Sequence, residues 1–600
     1  MFRYLKDKPN CLLLVLLLLW SLLNVFTASL SEIIADEAYY WVLSRELDWG
    51  YFDHPPLVAF FLRMGTALFG DIEIGVRFFT ITLHFATLWL FWKVVRPVTA
   101  SYRTVLRYFL ICFSLPLLHV YGFVATPDAP LLFSIAFTLW AYKAFVESDS
   151  KDTMSQLLSI VYLAIGFTLM AYSKYHGALI VMALVLSRPR LLTSWRFYAT
   201  SLLTIVLYLP HLNWQFTHDF VSLEYHLSAR NDPFAWHYVS EYLLNFFGAY
   251  NPFLTIPFIA IIAQGLKKSS DPMRRYYWIS SVFILCFFLY STLRGHVQAQ
   301  WMLPVVFPII YFLLEKSENS KRFSKYLCIS SASFGGIMLV VHIVVMVAVK
   351  PILPNIGLSG VAQATARAGL TLRGASDLDD KQKSAVAFIM DGEYDYASLF
   401  NFYSDMPSYG SPSIYDRSSQ YQFINFTDSL YGKCVAVEVS MARRVNVSQL
   451  ELQSKYSSVT VPTMGTRYYQ LCQNYIPTER VVVSTESIPE KVLVNQNLAL
   501  KLNIENPYPF NITLNNSDSI SLKVHLRGKD GFFMDLDMPI TKEYLLKAGA
   551  KITTPTSLSI PEVETGDYKL SFTLQRAPYG SWHNSKVFDV MIVNPKTRRI

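Results

Sequence analysis

Charge is scarce in this chain. Asp, Glu, Lys and Arg make up 16% of its residues, while 52% are apolar, and the mean hydropathy is positive. Soluble domains carry about 25% charged residues, so an ordinary cytosolic enzyme is excluded. Cysteine is also scarce, with six in 600 residues. None has the CxxC spacing of a metal framework. No Gly-rich cradle for a nucleotide phosphate is present. Internal repeats and low-complexity tracts are lacking. After about residue 350 the long apolar runs stop, so the last part of the chain reads as a soluble region.

Before that point, runs of about 20 apolar residues recur, each long enough to span a bilayer. The first, Cys11 to Leu30, is longer than the ~7–15-residue core of a cleaved signal peptide and reads as a span. Arg3, Lys6 and Lys8 precede it, which predicts a cytoplasmic N-terminus. About eleven spans are expected in all, with basic groups such as Lys93/Arg96 and Arg188/Arg190 on the inner side. The net charge of +8 therefore sets topology and does not point to nucleic acid. Residues 385–439 mix alternating apolar positions with the helix-like YDYASLFNFY, and predict a small α/β unit. Residues 481–593 hold short β-rich runs broken by NPYP, NNSD and APYG, and predict an antiparallel β-sandwich. The expected organisation is a membrane domain over 1–349, an α/β domain over 350–475 and a sandwich over 476–600. Cys434 and Cys472 are the cysteines of the soluble part, and an oxidising compartment predicts that they pair.

The chain is organised around DEAYYWVLSRELDWGYFDHPPL, Asp36 to Leu57, between two apolar runs. The charge bias puts every unusual polar cluster on the same outer side. These are Asp36/Glu37, Asp53/His54, Asp128, Lys174/His176, the histidines His211, His218, His226 and His237, and Arg294/His296. Ionisable groups at a membrane face point to function. Each also has a plain structural reading. Asp36 and Glu37 could end a span, Asp128 could cap the next helix, and Lys174 could snorkel. The double proline after His54 predicts a helix start there. The spacing of the histidines is not a metal-ligand pattern.

The combination DEAYYW, GYFDHPPLVAFF, GVRFF, TPDAPLLF and SKYHG resembles the polyprenyl-phosphate-sugar-dependent glycosyltransferases. That family includes the dolichyl-phosphate-mannose–protein mannosyltransferases and the lipid A aminoarabinose transferases. The resemblance covers roughly residues 12–315. It implies a polytopic α-helical membrane domain of GT-C type, followed by the soluble α/β unit and β-sandwich. Asp36, Glu37 and Asp128 are then the expected catalytic residues, with Asp36 as general base or orienting carboxylate. His54, Lys174, Arg294 and His296 are expected at the donor phosphate, and Asp53, Tyr39 and Tyr40 beside them. The aminoarabinose transferases have an arginine shortly after their DE pair, where this chain has Tyr39. The implied donor is a polyprenyl-phosphate (undecaprenyl-phosphate) sugar. The implied acceptor is lipid A or another glycolipid, with a protein acceptor, or a lipid-linked sugar transporter, as alternatives. A transporter predicts paired half-repeats with charges at mid-bilayer, whereas these charges lie at one face. No cofactor is named by the sequence, which leaves a divalent metal open. The expected location is the cell inner membrane, with the site and C-terminal region periplasmic.

Overall fold

In a computed structural model of the chain, the apolar runs of the first half fold as helices. The structure describes residues 7–97, 100–149, 151–228, 234–265, 271–348, 385–391, 394–404, 407–411, 419–424, 426–438, 457–461, 465–514, 520–528, 533–538, 544–576 and 584–594. Arg3 and Lys6, read above as topology signals, lie outside these. The chain divides into two compact units, Met1–Gly357 and Leu358–Ile600.

Six described helices of the first unit are long and apolar enough to cross a membrane: Pro9–Leu30, Glu73–Val95, Asp128–Glu147, Thr153–Ser173, Ala299–Asn319 and Lys321–Met346. They become seven if Trp236–Ala249 and Pro252–Ala263, bent by 109°, form one span. The expected count of about eleven is not reached. Several apolar runs fold as shorter or more polar helices. Leu57–Phe69 has 13 residues, about 20 Å of helix against a hydrocarbon core of ~30 Å. Tyr102–Phe113 stops at Ser114, and Pro116 opens a separate short helix. Trp195–Thr217 continues through Pro210. The proline removes one ladder bond, but the buried His211, Trp214 and Gln215 hold the following turn.

Two glycines fix the layer above the spans. Gly65 of Leu57–Phe69 faces the Gly75 backbone so closely that a Cβ would lie 2.1 Å from the Gly75 carbonyl. This contact seats the short helix against Glu73–Val95, and with it the turn carrying Asp53 and His54. Gly50 lies flat on Trp214, where a Cβ would come within 2.4 Å of the ring. The adjoining Trp49 carbonyl lies 2.7 Å from His211 Nδ1.

The second unit holds both soluble textures. A five-stranded mixed sheet runs in the order Ser408–Ser411, Phe388–Asp391, Val435–Glu438, Gly465–Cys472, Ser457–Val461. Its first three strands are parallel, and the predicted helix forms over Tyr394–Tyr403. The later region packs a five-stranded, a three-stranded and a two-stranded sheet around one apolar core that includes Leu502, Val524 and Phe572. It is mostly antiparallel, as expected, but Phe588–Val593 pairs in parallel with Lys491–Leu493. The expected disulfide is not formed. Cys472 is the register partner of Val435, next to Cys434, and both cysteines are buried thiols.

Candidate active site

The stretch after the first span folds as a helix, Ala35–Arg45, lying between Pro9–Leu30 and the turn before Leu57–Phe69. Asp36 and Glu37 occupy its first turn, where exposed backbone N–H groups favour acids. Successive helix positions face differently, and the two carboxylates separate. Asp36 is exposed, whereas Glu37 is fully buried.

Glu37 meets Arg77, the arginine of GVRFF. Arg77 Nε donates to Glu37 Oε1 at 2.7 Å and Nη2 to Oε2 at 2.6 Å. The remaining donors of Arg77 go to the Ala28 and Glu32 carbonyls and to Ser31. The Glu37 oxygens also accept from the Ile34 and Ala125 N–H groups. This pair ties the end of the first span, the Ala35–Arg45 helix, the second span and the 121–127 segment into one knot. Sequence reasoning did not select Arg77. The available signal was a lone arginine inside an apolar run, downstream of an acidic pair.

A second ion pair joins two expected site residues. Lys174 Nζ donates to Asp128 Oδ1 at 2.8 Å and to Oδ2 at 2.9 Å. Both are buried, 8% and 4% exposed. Asp128 is the first residue of its helix but makes no side-chain cap, so its carboxylate serves Lys174 instead. Lys174 therefore turns inward and does not snorkel. Among the described residues, neither charged group hydrogen-bonds to anything else.

Tyr40 is where the carboxylates converge. Burial first, then the negative charges of Asp36, Asp53 and Asp128 in that order, push its phenol well above the ordinary value. Tyr39 donates to Asp53 Oδ1 at 3.3 Å. The His54 ring lies against Tyr40, centroids 5.4 Å apart, and 6.4 Å from that of His226. His226 Nε2 lies 3.0 Å from the Asp53 carbonyl. Next to Lys174, Tyr175 accepts from Gln215 and lies 3.2 Å from His211 Nε2. Its phenol is pushed up to about 12, chiefly by burial and also by Asp53. His211 and His226 belong to the histidine cluster that the sequence set on the outer side, though without an assigned role; Tyr175 and Gln215 were not singled out, because they sit on elements whose folding together the sequence does not reveal.

Arg294 and His296 stand on the loop before Ala299–Val305. Both are exposed; His296 Nδ1 lies 2.7 Å from Glu241, and Arg294 has no side-chain partner among the described residues. That 3-10 turn packs on Asp128–Glu147, and Trp301 lies against His176. Below Tyr175 an apolar groove of about 650 Å³ runs between Thr153–Ser173, Gly177–Ser187 and Trp195–Thr217, lined by Met170, Val181, Ile205 and Tyr208. Among the described residues, no group of three or more His, Cys, Asp or Glu side chains is placed to hold a metal ion.

Residues 53–214 match the family model described as dolichyl-phosphate-mannose-protein mannosyltransferase. The match takes in Asp53, His54, Arg77, Asp128 and Lys174; Asp36 lies before it and Arg294 after it. A lipid A galacturonosyltransferase, RgtD, of Rhizobium johnstonii is 24% identical over 314 residues, 46% of this chain and 62% of the relative. An uncharacterised protein of Aquifex aeolicus is 25% identical over 248 residues, 38% of this chain and 47% of that protein. The chain thus spans 62% and 47% of the length of these curated relatives. The crystal structure of ArnT from Cupriavidus metallidurans, solved apo and bound to undecaprenyl phosphate, superposes with a TM-score of 0.54 at 13% identity, covering 76% of this chain and 97% of ArnT. The resemblance read from the motifs therefore stands: this chain is similar to the polyprenyl-phosphate-sugar-dependent glycosyltransferases, and it has a GT-C-like fold.

Proposed function

We propose that this chain is an integral-membrane glycosyltransferase that moves one sugar from a polyprenyl phosphate to a glycolipid of the cell envelope, of the lipid A type. The observation that carries this reading is the buried Asp128–Lys174 pair, with an apolar groove adjoining the neighbouring Tyr175; the charges of Asp36, Asp53 and Asp128 all bear on Tyr40. The groove's volume falls in the ~300–1,000 Å³ range of ligand sites, and its lining suits isoprenyl units. The lipid A acceptor is favoured by the printed activity of the Rhizobium relative.

In this reading the acceptor hydroxyl attacks the anomeric carbon. Its proton passes to Asp36, the exposed carboxylate of the cluster. The bond from that carbon to the phosphate oxygen breaks, and its electron pair leaves with the lipid phosphate. Lys174, held by Asp128, and the cationic Arg294 offset that charge, with His54 as a further donor. Attack opposite the leaving group inverts the anomeric centre. Glu37 acts through Arg77 and holds the knot that positions Asp36, so it is a positioning residue. The shorter helices complete the crossings between the longer ones, for about eleven in all. The site and the second unit face the periplasm, a reading supported by the basic inner loops.

Purified protein in detergent, given synthetic polyprenyl-phosphate sugars and lipid A, is expected to yield lipid A heavier by one sugar residue. Envelope lipids compared with and without the gene should differ by the same mass. No sugar added to any lipid in either experiment overturns the reading. Membrane-impermeant thiol labelling from outside should reach Leu47→Cys, an exposed position of the first loop, and miss Lys151→Cys, exposed on an inner loop. The opposite pattern overturns the orientation.

A further inference from the structure

Three histidines lie inside the helical unit, away from the site described above. His84 is on Glu73–Val95, His119 on Pro116–Val120 and His342 on Lys321–Ala348. They are 4%, 5% and 3% exposed. Ionisable side chains at such depth are costly, so their arrangement calls for a physical account.

Two of them form a chain with defined ends. His119 Nε2 lies 2.6 Å from the Phe113 carbonyl, which only accepts, so that nitrogen carries a hydrogen. His119 Nδ1 lies 2.9 Å from His342 Nε2. His342 Nδ1 lies 2.7 Å from Thr27 Oγ1, and Thr27 Oγ1 lies 2.9 Å from the Leu23 carbonyl. With both rings neutral, the bonds run one way. Thr27 O–H donates to His342 Nδ1, His342 Nε2–H to His119 Nδ1, and His119 Nε2–H to Phe113. One added proton reverses either the first bond alone, with His342 carrying hydrogen on both nitrogens, or the first two. In the second arrangement His119 carries hydrogen on both nitrogens and donates from Nδ1 to His342 Nε2. His342 Nδ1–H donates to Thr27 Oγ1, and the Thr27 hydroxyl turns to Leu23. Every donor keeps an acceptor in both states. A second proton sets two N–H groups against each other and breaks the link. The chain therefore accommodates one proton.

We infer that His119 and His342 form a one-proton relay that latches the last span to the first and so positions the 121–128 segment of the site. The latch touches the Glu37–Arg77 knot at two points. Thr27 adjoins Ala28, whose carbonyl accepts from Arg77 at 3.1 Å. The Phe123 ring lies 5.7 Å from that of His342 and 5.5 Å from Arg77 Cζ. Two residues on, the Ala125 N–H donates to Glu37. The Trp20 ring packs on both His84 and His119, at 4.6 and 4.9 Å. His84 is the further titratable group interacting with the pair, Arg77 stands beyond Phe123, and among the described residues no carboxylate faces either ring. A proton on the chain adds positive charge beside the aromatic ring that Arg77 already covers. Protonation therefore works against the knot.

The consequence for transfer rests on the proposed transferase reading; the relay itself does not. Nitrogen-15 histidine NMR of the full-length protein in detergent, titrated from about pH 8 down to the acid limit of folding, tests the relay directly. Both rings should show the Nε2–H form at high pH. On acidification one ring of the pair should gain a second hydrogen, and His342 should acquire Nδ1–H. His342 retaining one tautomer throughout overturns the relay. For positioning, His342→Leu should cut transfer from a polyprenyl-phosphate sugar roughly tenfold or more. His342→Gln, whose amide can donate and accept in either direction, should restore most of that loss. A wild-type rate in His342→Leu, or a Gln variant as impaired as Leu, overturns the latch. If wild-type protein transfers no sugar, the transferase reading fails while the NMR result still decides the relay.

Discussion

Glu37–Arg77 and Asp128–Lys174 are both buried ion pairs, each joining residues 40 to 46 positions apart in the sequence. Their surroundings differ. The carboxylate of Glu37 accepts from two backbone N–H groups besides Arg77, and Arg77 spends its other donors on main-chain carbonyls and Ser31. Asp128 and Lys174 have only each other among the described residues. A buried charge is costly unless its hydrogen-bonding capacity is used. The first pair is complete and can only hold structure. The second keeps an ammonium hydrogen and carboxylate lone pairs for something that arrives. The contrast suits a DE motif in which Glu37 is a staple and, in the proposed function, Asp36 is the reacting group.

Removing one partner of the complete pair should have the largest effect. Arg77→Met leaves Glu37 buried with no cation, at a cost of about 3–5 kcal/mol. We expect little folded protein, read as yield and melting temperature in detergent. The double variant Glu37→Leu/Arg77→Met removes both charges and should melt higher than Arg77→Met alone. If Arg77→Met melts like wild type, the staple reading of this pair fails.

Asp36→Asn comes next and tests the exposed member of the motif. It keeps the shape and removes the base, so transfer should fall by roughly 10²–10⁴. The melting temperature should hardly move, because the side chain is exposed and packs little. Full activity in a purified assay removes Asp36 from the chemistry.

The open pair should respond differently. Asp128→Asn/Lys174→Met leaves no unpaired charge, so the fold should persist. A charge-assisted hydrogen bond is worth about 1.5–3 kcal/mol, so KM for the lipid-phosphate sugar should rise roughly ten- to hundredfold. Unchanged KM with a collapsed melting temperature would make this pair a second staple and erase the contrast.

How legible these two pairs were in the sequence follows from the same physics. The residues of the open pair could be nominated singly, because each interrupts an apolar run beside a turn, TPDAP or SKYHG. Their pairing could not, since nothing in periodicity says that those two turns meet. The complete pair was half visible. Glu37 stood in an obvious motif and drew a catalytic expectation, while Arg77 was hidden in GVRFF among residues read as a span. The gross architecture, helices first and strands after, was carried by apolar run length and by the change to period two. Helix lengths were less legible, because run length does not report where Pro116 opens a new helix or that a helix continues through Pro210. The His119–His342 contact was invisible for the same reason as the ion pairs: it links residues 223 positions apart.

The smallest expected effect extends the comparison to a third buried carboxylate, in the second unit. Glu479 is 5% exposed, like Glu37 in burial, but among the described residues no cation pairs with it. Its oxygens accept from the hydroxyls of Tyr475 and Tyr508 and from the Thr478 N–H. Burial outweighs these bonds and raises its pKa above the ordinary 4.5. The folded state therefore binds this proton more tightly than the unfolded chain does. The stabilisation is fully present below the ordinary glutamate value and is lost as pH rises through the raised folded value. Glu479→Gln keeps the size, stays neutral and removes that dependence. At neutral pH the variant should melt at or slightly above the wild type, and the gap should close as the buffer is taken to acid. A variant that melts lower at neutral pH and equally at acid pH would mean that the charged form is the one the fold prefers. Hydroxyls and one backbone N–H would then suffice to hold a buried carboxylate, and the cation in the Glu37 knot would no longer be what sets the two sites apart.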